Sequence, residues 1–293
     1  MGDPRFAVRV AAIQLPMRNV GSRDEFYAPI EHYVAIAAGY GCDFVVFPEM
    51  MTFPLVTFAG HDPEATIEAL TEETPRFRER MSGMAERHAI HVVAGSHLTR
   101  DEGGVVRNIS HLCLKDGSIH EQAKLHPTPD ERDVWGVEGG DTLAAVETDR
   151  GHVGTLICYD SEFPELGRRL VDDGARLVFV PYQTDTRAGT MRVTLCSRAR
   201  AVENQCYMAL AGSCDTLRGV VNMDINYARS GIFTPCDLPF PPDGIAAQAE
   251  PNAEQAIFAD LDMDRLEAAR SEGAVRNLDD RRADLYESVW KGA

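Results

Sequence analysis

Short apolar runs, about four to nine residues each, recur along this 293-residue chain, and stretches with helical spacing separate many of them. That alternation constrains the fold more than any other feature, because apolar runs of strand length interleaved with helices point to a layered α/β domain. The runs are 6–14 (FAVRVAAIQ), 44–47, 90–95, 110–114, 118–124, 143–147, 153–158, 177–180, 207–212 and 256–261. Helices are expected at 23–39, where Phe26, Ile30, Val34 and Ala37 share a face, and at 164–174 and 191–204. A further helix is expected to open at Thr74-Pro75, an N-cap followed by proline at the first helical position, and to run to His88. Lys115-Asp116-Gly117 marks a tight turn, so 110–114 and 118–124 should form a hairpin. The order β-α-β-α-β, hairpin, β-α-β-α-β fits one domain over 1–293 built on mixed sheet, with a core of about 6–265 and a tail of about 266–293. Residues 215–251 are the least regular and too long for a plain connection, which marks a functional or subunit-contacting loop.

Composition narrows the partners. Hydrophobic residues are 44% of the chain, enough for a large core, and 46 acidic against 29 basic residues give a net charge of −17. Repulsion at that charge opposes nucleic acid and anionic membrane surfaces as partners. No apolar run of about 18 residues suggests a membrane span. The opening MGDPRFAVRVAAIQ has neither a leader pattern nor the Ser or Thr of a myristoylation signal after Met1-Gly2. Seven cysteines, an odd number without a CxxC pair, fit a reducing cytoplasm, with most of them buried as small hydrophobes.

One cysteine stands apart. In ICYDSEFPELGRRL an apolar strand runs into Cys158 and a helix opens near Pro164, which sets the thiol at a strand-to-helix turn where neighbouring amides can meet an oxyanion. A buried cysteine at a strand end is the plain alternative. A thiol with an ordinary pKa of about 8.5 needs a base or a cation nearby. None of the nine histidines has a setting that marks it as that partner. His88, His91 and His97 read as exposed or edge positions, and the 88–91 spacing lacks the further ligands of a metal site. Two other strand ends carry chemistry. FVVFPEMM presents Glu49 among apolar residues, where desolvation raises a carboxylate pKa toward the range useful for proton transfer, and Lys124 follows a strand before a proline-rich turn. Either alone is compatible with a surface charge, but strand ends of one α/β sheet converge on a site.

Together these segments resemble the nitrilase superfamily of carbon–nitrogen hydrolases. The resemblance lies in VRVAAIQLP (8–16), FPEM around Glu49, KLHPTPDER around Lys124, the stretch from Cys158 to Pro181 and RARAVENQCYMALAG (198–212), and it spans about 6–265. It implies Glu49 as general base, Lys124 as the cation facing an oxyanion, Cys158 as nucleophile, and Glu131 as the second glutamate that follows the lysine. The backbone N–H of Tyr159 joins Lys124 at the oxyanion. It implies a four-layer α-β-β-α sandwich, no metal or organic cofactor, and a homodimer or higher even oligomer with 164–174 and 191–204 as contact surfaces. The implied reaction is hydrolysis of a small non-peptide amide, in the manner of an ω-amidase, to a carboxylic acid and ammonia through a thioester. N-carbamoyl amides and nitriles are alternative small-molecule substrates for the same residues, and a catalytically silent scaffold is the alternative of another class. Pro181-Tyr182-Gln183 departs from the Pro-Ser step of many relatives, which makes Tyr182 a candidate substrate contact. Arg187, just beyond that strand, is a candidate clamp for a substrate carboxylate or else a solvated loop arginine.

Overall fold

A computed structural model describes residues 7–58 and 62–292, so Met1-Gly2 and Phe6, the first residue of the expected opening strand, lie outside the described residues. In one half, β1 (Ala7–Pro16) pairs in parallel with β2 (Phe44–Val46), and β2 with β3 (His91–Val93). The antiparallel strands β4 (His97–Arg100), β5 (Val106–Cys113) and β6 (Ile119–Ala123) extend that half on one side. In the other half, β7 (Val146–Thr148) is antiparallel to β8 (Gly151–Thr155), which runs parallel to β9 (Leu177–Tyr182) and then β10 (Tyr207–Cys214). β11 (Gly231–Phe233) and β12 (Ile245–Gln248) continue from β10, and β13 (Gln255–Asp262) lies antiparallel on β1. A short parallel seam, Leu15 opposite Ser213 and Pro16 opposite Cys214, joins the halves.

Alternation along the strands explains the layers. Val8, Val10 and Ala12 of β1, with Phe44 and Val46 of β2, face Phe179 of β9 and Ala209 and Ala211 of β10 across an inter-sheet core. The rings of Phe44 and Phe179 are 5.2 Å apart there. The intervening residues Ala11, Ile13 and Val45 point the other way, against helices α1 (Arg23–Gly39) and α2 (Pro63–His88). Val178, Val180, Met208 and Leu210 likewise meet α4 (Pro164–Asp172) and α5 (Arg187–Asn204), so the layers run α-β-β-α. Between these pairs, α3 (Pro129–Trp135) follows β6, and α6 (Met263–Glu272) buries Leu266 and Ala269 in the inter-sheet core.

Several expectations change. The helix expected to open at Thr74 begins at Pro63, where the Asp62 carboxylate accepts the Ala65 N–H at 2.9 Å, and Pro75 lies inside it. An interior proline costs ~3 kcal/mol, but Leu70, Phe77, Met81 and Met84 are fully buried on this helix, each contributing roughly 1.5–3 kcal/mol. Thr74 is not a cap. Its hydroxyl bonds His97 Nε2 at 2.8 Å, and Thr52 Oγ1 bonds Nδ1 at 2.8 Å. His91 and His97 are therefore buried rather than exposed or at an edge, and His97 stacks on Phe77. Burial holds its pKa well below the usual histidine range. The irregular stretch 215–251 contains β11 and β12, and two of the cysteines expected to be buried are not, Cys196 being half-buried and Cys236 exposed. Among the described residues no helix is long and apolar enough to cross a membrane.

Candidate active site

β6 is antiparallel to β5, which is antiparallel to β3, so β6 runs in the same direction as β3 and the other parallel strands. Glu49 after β2, Lys124 after β6, Cys158 after β8 and Gln183 after β9 thus all follow carboxyl ends of strands that point one way. They line one cavity of about 630 Å3 together with Glu131 and Tyr159. Tyr182 and Arg187 are not in its wall. Tyr182 is fully buried, its hydroxyl oxygen accepting the Arg229 N–H at 2.9 Å, because strand alternation turns it inward while Gln183 reaches the cavity. Arg187 is the first residue of α5, exposed, and the guanidinium in the wall belongs to Arg192, one turn further on.

Each functional side chain is held by its neighbours. The Lys124 ammonium is fully buried and donates to Glu49 Oε1 at 2.7 Å and Glu131 Oε2 at 2.5 Å. Burial opposes its charge, but the two carboxylates outweigh burial and keep its pKa well above the ordinary lysine value. Glu131 is fixed by a capping box: Thr128 Oγ1 accepts the Glu131 N–H at 3.3 Å, and Glu131 Oε2 accepts the Thr128 N–H at 2.8 Å. Burial raises the Glu131 pKa, but Lys124 and these hydrogen bonds bring it below the usual carboxylate value. Glu49 goes the other way: burial pushes it above the ordinary range, and Lys124 only partly pulls it back. Two glutamates on one ammonium thus have separated affinities for a proton.

Cys158 opens a short 3-10 turn, Cys158–Glu162, with a left-handed backbone at φ 48°. Its thiol donates to the Gln183 carbonyl at 3.5 Å, while the Gln183 N–H donates to Glu49 Oε2 at 2.9 Å. One peptide segment, that of Gln183, therefore holds both the Cys158 thiol and the Glu49 carboxylate. Burial and Glu49 push the thiol well above its usual pKa, and the opposing pull of Lys124 does not overcome them. The sulfur rests protonated beside a carboxylate that can take the proton.

Three positions escaped the reading of the sequence. Fully buried Asn108, on β5, donates from Nδ2 to both Glu49 Oε1 (2.9 Å) and Glu131 Oε1 (2.8 Å). Buried Asp160 accepts the Leu125 and His126 N–H groups at 3.1 and 2.9 Å, which ties the Cys158 turn to the chain just past Lys124. Gln183 acts through its backbone, so its side chain carried no signal; a lone asparagine inside the apolar strand VRNISHLC was the only clue to Asn108. Among the described residues no group of three or more His, Cys, Asp or Glu is arranged to hold a metal ion.

A buried thiol, carboxylate and ammonium at the strand ends of an α-β-β-α sandwich define a hydrolase-type site without a histidine. A family model described as carbon-nitrogen hydrolase matches residues 9–271, and the chain belongs to that family. It is 41% identical over 287 residues to the probable hydrolase YhcX of Bacillus subtilis, covering 98% of this chain and 56% of that protein. The chain thus spans little more than half the length of that relative. Over 288 residues it is 27% identical to the omega-amidase NIT2 of Mus musculus, with 95% and 96% of the two chains covered. The fold is also that of an amidase from Nesterenkonia sp. AN1, solved as a double mutant in complex with acrylamide. The TM-score is 0.75 at 22% identity, covering 97% of this chain and 98% of that one.

Proposed function

We propose that this protein hydrolyses the C–N bond of a small non-peptide amide, releasing a carboxylic acid and ammonia through a thioester on Cys158. The observation that carries this reading is the contact of Lys124 with both Glu49 and Glu131 beside the Cys158 thiol on one cavity wall. In the first half, Glu49 takes the Sγ proton as sulfur attacks the amide carbon. The carbonyl oxygen becomes an oxyanion, met by the Lys124 ammonium and the Tyr159 backbone N–H. Glu49 returns the proton to nitrogen, the C–N bond breaks and ammonia leaves. In the second half Glu49 takes a proton from water, the water oxygen bonds to the thioester carbon, the C–S bond breaks, and the proton passes to sulfur. Glu131 stays ionised and keeps Lys124 charged and aimed. The relatives described as hydrolase and omega-amidase support the same reading.

The test measures ammonia released from primary amides, N-carbamoyl compounds and nitriles by the full chain and by Cys158→Ala. Amides should be the best substrates, hydroxylamine should trap the acyl group as a hydroxamate, and Cys158→Ala should be inactive. Release from nitriles or carbamoyl compounds alone would move the reaction class, and an active Cys158→Ala would remove the nucleophile from the mechanism.

A further inference from the structure

Pairing between β9 and β10 ends at Tyr182, so the next peptide, that of Gln183, is held by other groups. On one side its carbonyl accepts the Cys158 thiol and its N–H donates to Glu49 Oε2. On the other side, half-buried Gln183 donates from Nε2 to Asn226 Oδ1 at 2.8 Å. Asn226 is buried and firmly tied. Its Nδ2 donates to the Met223 carbonyl at 2.9 Å and the Asp215 carbonyl at 3.3 Å, and its backbone N–H donates to the Asp215 carbonyl at 2.9 Å. With both Nδ2 hydrogens on carbonyls, Oδ1 is left as the acceptor for Gln183, which fixes the sense of that bond. The next residues repeat the link. The Tyr227 N–H donates to the Thr184 carbonyl at 2.8 Å, and Thr184 Oγ1 donates to the Tyr227 carbonyl at 2.9 Å.

These bonds matter because of what Asn226 closes. Asp215 and Asn226 pair across the neck of a loop, and within it Asn222, Met223, Asp224 and Ile225 line the catalytic cavity. Met223 is buried in one apolar cluster with Met50, the residue after Glu49, while Ile225 is exposed. The loop is thus a wall of the cavity, and its neck is bonded to the peptide that holds thiol and carboxylate. We propose that the Gln183 side chain is a positioning group, which passes contact between a substrate and the 222–225 wall to the peptide that aligns Cys158 with Glu49. Binding energy from the remote end of the substrate then goes into alignment and emerges in kcat. The proposal rests on the amide-hydrolase reading above and adds to it a determinant of substrate length.

The experiment compares acetamide, butanamide and hexanamide on the full chain, on Gln183→Met, which keeps the length and removes the donor, and on Asn226→Ala. For the full chain, kcat should rise about tenfold or more from acetamide to hexanamide. In Gln183→Met that ratio should fall toward one, while KM still decreases with chain length, because apolar contact with the wall remains. Asn226→Ala should flatten kcat in the same way. The double variant should be no flatter than either single one, since each removes the same bond. A role in folding alone would lower the melting temperature and reduce kcat for all three amides by one factor. That equal loss, a kcat ratio unchanged in Gln183→Met, single effects that multiply in the double variant, or a wild-type kcat independent of length would each overturn the proposal while leaving the amidase reading intact. Turnover of none of the three amides would overturn both.

Discussion

At the scale of single residues, the site depends on one ammonium shared by two carboxylates of different proton affinity. Lys124→Met keeps the bulk and removes the charge. Turnover should fall by at least about 10²-fold, as on loss of an oxyanion donor. The two carboxylates left behind can share a proton and so let the chain fold, which circular dichroism can verify; near-normal turnover would exclude Lys124 from catalysis. Asn108 gives a subtler expectation. In the proposed mechanism Glu49 works as a carboxylate, and its pKa is raised, so activity should be present above that pKa and disappear as pH falls through it. The acid limb of kcat/KM should therefore lie above 4.5, the ordinary glutamate value. Asn108→Ala takes a hydrogen bond from the Glu49 carboxylate, so the limb should move to higher pH and kcat should drop by roughly tenfold or more. A role in folding alone would lower the melting temperature without moving that limb.

At the scale of elements, what the sequence disclosed depended on whether a signal was local. Helix α1 was bounded correctly because its apolar face and flanking turns lie within the segment. The start of α2 was misplaced because Thr74-Pro75 obeys the same capping rule as Asp62-Pro63, and the burial that decides between them is tertiary. Strand β4 was missed because its burial comes from α2 rather than from a run of apolar residues: His97 is held by Thr52 and Thr74. Glu49, Lys124, Cys158 and Glu131, singled out by their segments and the family likeness, do come together on one cavity wall, whereas Asn108, Asp160 and the Gln183 backbone, which hold them, make their contacts across the chain. Gly95 is another such long-range element. It has φ +53°, and a Cβ there would lie 1.8 Å from the Pro48 carbonyl oxygen, against the segment that presents Glu49. Gly95→Ala should cost more than about 1 kcal/mol of stability and lower activity by displacing Glu49. Calorimetry beside a turnover assay checks this; an unchanged melting temperature with full activity would contradict it.

At the scale of the whole molecule, α5 exposes Met191 and Leu195 one helical turn apart on its outer face. We propose that copies of the chain pair through α4 and α5, and Leu195→Glu should then shift the mass measured by light scattering toward the monomer. A wild-type chain that is already monomeric at high concentration would end that proposal. The left-handed backbone of Cys158 has a different consequence for the molecule. An L side chain there is disfavoured by about 1–2 kcal/mol, a penalty from which glycine is exempt. The chain therefore gives up part of its net stability, commonly about 5–15 kcal/mol, to display one sulfur atom. Thermal unfolding of Cys158→Gly and Cys158→Ala should separate the two, with the glycine variant melting higher although both lack the thiol. Selection for heat resistance alone would then drift toward glycine at this position, and only selection for turnover would retain the cysteine.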